Sequence, residues 1–268
     1  MPDRPSPSLG IVVTHFGVPP LWLPAFLISC RPNVDVEFLL YTDFPVSDVP
    51  PNVRVRHLTL DMLARRASTL VGREIDLSLP RKVCDLKPLY GVLFADDLTA
   101  CEFWAHADLD IVWGDIRRFV TDDVLAGHDV VSSRRKRSSG HFTAYRNDPE
   151  TLALYTRIPG VADRLANPVH QWLDEPVLTD ALRETISHPG GWPRVHWQGG
   201  WTIDNAYQRA MGDSDCLRWR SGHAFDAHGE ERMYLHFNKL KKRMRRIDFS
   251  ASDDVHGFSI NRSGLARE

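Results

Sequence analysis

Apolar residues fall into short runs separated by polar, proline-marked or glycine-marked breaks. Residues 9–14 are apolar and β-branched and predict a first buried strand. Residues 19–29 predict a helix with prolines near its start. Residues 36–42 predict a second strand, closed by Asp43-Phe44-Pro45, and residues 53–60 a third. Residues 61–72 predict a helix. Residues 82–94 predict another, because Val83, Leu86, Tyr90, Leu93 and Phe94 share one face at helical spacing. Residues 103–112 predict a strand, and residues 130–133 a further short one. Strands alternating with helices point to βαβ units and a mixed, mainly parallel sheet, an α/β class. In such sheets ligands bind at the carboxyl ends of the strands.

Beyond residue 150 the pattern loosens. Trp172, Trp192, Trp197, Trp201 and Trp219 stand among loop signals such as Gly190-Gly191 and Gly199-Gly200. Residues 150–155 and 175–183 have helical character, and residues 218–237 predict strands or a hairpin. Neither an internal repeat nor a low-complexity linker interrupts the chain, so one continuous domain with a less regular C-terminal half is expected.

At 268 residues the chain can bury the core of one large α/β domain. Its 33 Lys and Arg against 35 Asp and Glu leave a net charge of −2, so no global basic field of the kind that holds nucleic acid exists. Positive charge clusters locally, at Arg134-Arg135-Lys136-Arg137 and along residues 239–246. Cys30, Cys84, Cys101 and Cys216 form no CxxC pair, which argues against a zinc knuckle and suits a reducing compartment. Residues 1–8 are polar and proline-rich, unlike a signal peptide. No run reaches ~18 apolar residues, the span of a membrane helix. A cytoplasmic location is expected.

The chemistry concentrates in Phe103-Trp104-Ala105-His106-Ala107-Asp108-Leu109-Asp110-Ile111-Val112-Trp113. A buried strand that ends in two carboxylates needs positive charge to meet them. Oxygen ligands favour hard cations such as Mn²⁺ or Mg²⁺, and a cation at a strand end can hold a phosphate. Capping of a following helix is the alternative role for such aspartates. A second cluster is Tyr234-Leu235-His236-Phe237-Asn238-Lys239-Leu240-Lys241-Lys242. An imidazole completes a metal shell, and ammonium groups neutralise phosphate oxygens. A core histidine followed by a solvated basic helix is the plainer alternative.

With these residues in order, the chain resembles a glycosyltransferase of the GT-A type, a Rossmann-like nucleotide-diphospho-sugar transferase. The likeness is carried by Lys82-Val83-Cys84-Asp85-Leu86-Lys87-Pro88-Leu89-Tyr90, by the D-x-D motif in Ala107-Asp108-Leu109-Asp110, and by Leu235-His236-Phe237-Asn238-Lys239. The resemblance implies a nucleotide-binding half over residues 9–133, an acceptor half with the C-terminal metal and diphosphate segment over residues 134–249, and a tail over residues 250–268. It implies that Asp110 and His236 ligate Mn²⁺ or Mg²⁺, with Asp108 on the metal or the donor ribose. Lys239 or Lys241 would meet the diphosphate of a donor such as a UDP-sugar, and Thr14, His15 and Phe16 would lie near the base. Asp85 and Lys87 are the candidates for a further donor contact. They depart from the related pattern, which places an Arg three residues after the Asp where this chain has Pro88. A Gly-Gly turn before the D-x-D strand is also missing.

An inverting transferase needs a general base on the acceptor side. Asp174 and Glu175 are candidates, and a helix N-terminus that favours acids is their alternative role. Gly140 to Asn147 would form an acceptor-side strand. Arg134 to Arg137 would close over phosphates or bind an acidic acceptor. Trp197 and Trp201 would stack on sugars, and Asp204 would touch acceptor hydroxyls. Two other functions compete. A haloacid-dehalogenase-like phosphatase would use Asp108 and Asp110, although several strands precede the motif and its late acidic pair, Asp253-Asp254, follows a poor strand. A non-catalytic protein would bind nucleotide or an anionic membrane surface through a basic helix over residues 239–246, with Leu240, Met244 and Ile247 among its charges.

Overall fold

A computed structural model describes residues 6–187 and 191–268. Residues 1–5 of the polar leader and Gly190 of the expected loop pair lie outside the described residues. The chain begins with β1 (Leu9–His15), α1 (Leu23–Cys30), β2 (Val36–Thr42), β3 (Val53–His57) and α2 (Leu60–Val71). These are the βαβ units expected. β1 pairs in parallel with β2, and β2 with β3. Both faces of β1 are covered, which is why it reads as a continuous apolar run instead of alternating. Thr59 caps α2 by accepting from Met62 N at 3.2 Å, and Gly72, at φ 69°, closes it in the left-handed conformation.

Residues 82–94 do not form one α-helix. Pro80–Leu89 winds as a 3₁₀ helix and Tyr90–Leu93 adds one α turn. Pro88 lacks an N–H and its ring clashes with the carbonyl four residues back, so the α ladder cannot run through it. The apolar face survives: Val83, Leu86, Tyr90, Leu93 and Phe94 share one buried cluster.

The predicted strand over residues 103–112 is two strands. β4 (Phe103–Ala107) lies beside β1, and β5 (Ile111–Trp113) leaves the sheet. Asp108, Leu109 and Asp110 make the break between them. β6 (Val130–Ser132), β7 (Phe142–Arg146) and β8 (Val195–Trp197) complete a seven-stranded sheet in the order β3-β2-β1-β4-β7-β6-β8. Only β7 runs against its neighbours, so the sheet is mixed and mainly parallel.

The C-terminal part is more regular than expected. Residues 218–237 resolve into β9 (Leu217–Arg220), β10 (His223–Phe225), β11 (Glu231–Arg232) and β12 (Tyr234–His236). Then come β13 (Arg246–Ile247), β14 (Gly257–Ile260) and β15 (Gly264–Arg267). A six-stranded sheet runs β11-β10-β9-β14-β15-β13. Residues 250–268 are therefore not a tail, because two of its strands come from them. The basic helix expected over residues 239–246 does not form either. Those residues make turns, and Leu240 and Met244, its would-be apolar face, are buried in the core. The helix on which the alternative membrane contact rests is thus not formed.

β12 pairs antiparallel with β5, with His236 opposite Ile111. Three apolar clusters fix this arrangement. One fills the space between the main sheet and α1, and a second covers the other sheet face with α2 and residues 83–98. The third joins the outer side of α1, the β5–β12 pair and the six-stranded sheet.

Candidate active site

Sheet order places the site. Strand order switches between β1 and β4, which pair in parallel while β2 and β3 lie to one side and β7, β6 and β8 to the other. That switch point is where open parallel sheets leave a crevice at their carboxyl ends. Asp108 follows β4 there, beside Thr14 and His15 at the end of β1. β5 then turns away and recruits β12, which carries His236 back to the aspartates. Phe237 N donates to Asp110 O at 3.2 Å and locks that register.

Asp108, Asp110 and His236 each bring one ligand atom within 4.8 Å of the others. His236 Nε2 lies 3.3 Å from Asp110 Oδ2 and 3.6 Å from Asp108 Oδ2. Two carboxylates and an imidazole form a donor set that fits Mn²⁺ or Mg²⁺. Burial alone would raise the pKa of Asp110, but His236 and Lys241 outweigh it and hold the carboxyl well below its ordinary range. Lys241 Nζ sits 2.6 Å from Asp110 Oδ2 and about one ring's reach, 5.6 Å, over Trp22.

Lys87 is the second cation. It is almost fully buried, ion-pairs with Asp108, donates to Gly140 O at 2.5 Å and stands 3.6 Å from Asp174 Oδ2. Burial would pull its pKa down, yet Asp108 and Asp174 keep it well above the ordinary lysine value. Asp174 is the opposite case. Burial pushes its carboxyl up to about 7, and Lys87 offsets only part of that cost. Gly140 leaves room for this carboxylate: a Cβ there would lie 2.5 Å from Asp174 Oδ2 and force it to shift.

A cavity of about 320 Å³ opens above these groups. Thr14, His15, Phe16, Lys87, Asp108, Asp110 and Lys241 all line it, together with Trp22 and Arg81. The other candidates lie elsewhere. Lys239 is outside the cavity, and its backbone N–H donates to Gln208 Oε1 at 2.9 Å. Asp85 is buried beneath the site. It takes Lys82 Nζ at 3.0 Å, Gln171 N at 2.8 Å and Leu173 N at 3.0 Å, and so anchors the turn that leads to Asp174. Asp85, His170 and Asp174 also cluster within 4.8 Å, but the oxygens of Asp85 are spent on those donors. Glu175 accepts from Gly140 N at 3.4 Å and is more exposed than Asp174. Both acids precede a helix, Leu178–Ile186, and sit within the π-type turn over Leu173–Val177 that leads into it, not in its own first turn. The expected sugar platform is not built from Trp201, which is in the core against Phe119.

Residue spacing alone does not disclose His141, Trp22, Arg81 or Tyr234. His141 stacks on His236 with ring centroids 4.4 Å apart. Its Nε2 accepts from Arg134 Nε at 2.9 Å; arginine only donates, so Nδ1 carries the proton and faces Tyr234 Oη at 2.5 Å. Burial, with His236 and Arg134, drives its pKa well below the ordinary value, and it stays neutral. Its only sequence signal is its place just before the β7 run.

The family described as "Family of unknown function (DUF6625)" matches residues 11–268. No curated protein matches. The fold is similar to several solved structures. The galactosyltransferase LgtC in complex with donor and acceptor sugar analogues has a TM-score of 0.45 at 9% identity, over 76% of this chain and 78% of that one. Mouse xyloside xylosyltransferase 1 has a TM-score of 0.49 at 9% identity, over 85% and 97%. A glycosyltransferase involved in glycosylation of the major capsid of PBCV-1 has a TM-score of 0.48 at 9% identity, over 86% and 92%.

Proposed function

The chain belongs to the DUF6625 family, whose function is unknown, and we propose that it is a metal-dependent glycosyltransferase of the GT-A type. It moves a sugar from a nucleotide-diphosphate donor to an acceptor hydroxyl. One observation carries this: two carboxylates and an imidazole from distant segments meet at the switch point of a parallel sheet, with Lys87 and Lys241 against the carboxylates. Asp108, Asp110 and His236 would hold a divalent cation, which supplies positive charge to the diphosphate oxygens.

The residues of the chain then divide the work. As the bond from the anomeric carbon to the diphosphate oxygen breaks, negative charge grows on the leaving group. Lys241, at the cavity wall, stabilises that charge more in the transition state than in the ground state. Thr14, His15 and Phe16 take the nucleoside end of the donor, UDP being the donor nucleotide we favour. The acceptor oxygen forms the new bond and gives up its proton. Asp174, poised near neutral pH by burial, is the base we favour over Glu175. Asp85 holds Asp174 in place through the backbone of residues 171–173. A cytoplasmic address is consistent with the four free cysteines, and no helix among the described residues is long and apolar enough to cross a membrane.

The phosphatase alternative gains no such support. Its nucleophile, Asp108, is ion-paired with Lys87, and Asp253 is used in a turn, where it accepts from Ser250 N at 2.9 Å.

A thermal-shift screen of nucleotide sugars with Mn²⁺ tests the proposal, because a ligand bound only by the native state raises its stability. UDP-sugars are expected to raise the melting temperature only with metal present. Asp110→Asn and His236→Ala are each expected to lower metal-dependent donor turnover by roughly two orders of magnitude while leaving the circular dichroism spectrum unchanged. Full activity of both variants in chelator would refute it.

A further inference from the structure

A second cavity, of about 450 Å³, has Thr202 in its wall, the residue whose hydroxyl meets the backbone of His236. Four arginines line it: Arg134, Arg135, Arg137 and Arg232, with Ser133, Thr202 and Tyr207 between them. We propose that this cavity binds a phosphate or carboxylate group on the acceptor saccharide, so that the acceptor is an anionic sugar. This rests on the glycosyltransferase function proposed above.

Its position suits an acceptor. Thr202 Oγ1 accepts from His236 N at 3.3 Å, and Arg134 reaches His141, whose ring stacks on His236. Thr202 and, through His141, Arg134 thus connect the cavity wall to His236. The volume fits a monosaccharide with a charged substituent.

The charges in it are not all spoken for. Arg232 is neutralised by the buried Asp226, at 2.6 Å, and by Glu230. Asp204, the one carboxylate lining the cavity, accepts from Tyr207 N at 2.7 Å and caps a helix. Among the described residues, the guanidinium groups of Arg135 and Arg137 have neither a carboxylate nor a hydrogen-bond partner. Both side chains are exposed, so their donors are free to meet an anion that enters the cavity. The guanidinium fork also matches phosphate and carboxylate geometry.

Backbone around the cavity fits this use. Gly199 lets the chain pass against Arg135, whose Cβ would lie 3.2 Å from a Cβ at that position. Gly200, at φ 87°, turns its carbonyl onto Arg232 Nη1 at 2.8 Å. The Gly-Gly turn therefore packs against both Arg135 and Arg232.

Isothermal titration at fixed ionic strength tests the proposal. The full chain, saturated with Mn²⁺ and UDP, is titrated with glucose 6-phosphate, glucuronate, glucose and inorganic phosphate. One or both anionic sugars are expected to bind at least roughly tenfold more tightly than glucose and than inorganic phosphate, about the effect of one charge-assisted hydrogen bond. Arg135→Ala combined with Arg137→Ala is expected to remove that difference. Arg65→Ala combined with Arg66→Ala, an equal charge change on exposed α2 positions, is expected to keep it. Equal binding of glucose, tight binding of inorganic phosphate alone, no binding of either anionic sugar, or an unchanged double arginine variant would each overturn it. If the wild type fails to bind UDP with Mn²⁺, the donor assignment fails, and titration of the same sugars without UDP still reads the arginine cavity.

Discussion

Lys87 is one ammonium shared between Asp108, Asp174 and the carbonyl of Gly140. A buried charge group of this kind is costly to break, because removal of one partner strands the others. Lys87→Met is expected to destabilise the fold by about 3 kcal/mol, read from urea denaturation, and a change within error of zero would remove the ammonium from its structural role. Asp174 makes a separate prediction. Its carboxyl keeps its proton to about pH 7 when folded, against an ordinary value of 3.8. The native state therefore binds more protons than the unfolded state between about pH 4 and 7, and stability falls as pH rises through that window. Asp174→Asn cannot ionise. Its melting temperature relative to wild type is expected to rise from pH 5 to pH 8, measured by differential scanning fluorimetry, and a constant difference would exclude a raised pKa. At this scale Asp108, Asp110 and His236 are legible from sequence because apolar neighbours frame them. Lys239 and Lys241 are not separable that way. They sit two residues apart in turns, where no periodicity says which side chain faces the aspartates.

Elements bring those residues together, and β5 is the critical one. It is three residues long and pairs with β12 alone, so its position depends on side chains beneath it. Asn33 supplies most of that support. Its Nδ2 donates to Ser29 O at 3.1 Å and Gly114 O at 3.0 Å, and its Oδ1 accepts from Ile116 N at 3.0 Å. Ser29 Oγ adds a bond from Trp113 N at 3.0 Å. Asn33→Ala leaves three buried backbone groups without partners, and it is expected to cost about 3 kcal/mol and to weaken Mn²⁺ binding by His236 and Asp110. Calorimetric titration with Mn²⁺ reads the second effect; unaltered affinity would mean that β12 holds the site without β5. None of this is legible in the chain. Asn33 follows Pro32 between a helix end and a strand, in a stretch that reads as loop. The 3₁₀ segment is half legible: its apolar face follows helical spacing, whereas its winding is decided by Pro88.

For the molecule as a whole, legibility follows contact range. The parallel sheet shows in sequence because β1, β2 and β4 are buried on both faces and are mostly apolar. The six-stranded sheet does not, since its strands are two to four residues long and carry arginines and a glutamate. Such strands exist only because distant partners meet. Phe258 lies opposite Trp219 in the β14–β9 pair, and Trp219 Nε1 donates to Trp113 O at 2.8 Å, which ties that sheet to β5. Phe258, Ile260 and Leu265 share the third cluster with Val112, Leu235 and Phe237, the neighbours of Asp110 and His236. The last nineteen residues thus support the metal cluster from behind, although none of them lines the cavity. Burial of three large apolar side chains contributes about 2 kcal/mol each, a sum comparable with the whole stability of a domain. A chain ending at residue 249 is therefore expected to lose cooperative thermal unfolding and Mn²⁺-dependent stabilisation together. Phe258→Ala is the milder version: it is expected to cost about 3 to 4 kcal/mol yet keep the fold, with Mn²⁺ affinity reduced in step. If the truncated chain melts cooperatively and still gains stability from Mn²⁺, the third cluster is an appendage and the site is held by the main sheet alone.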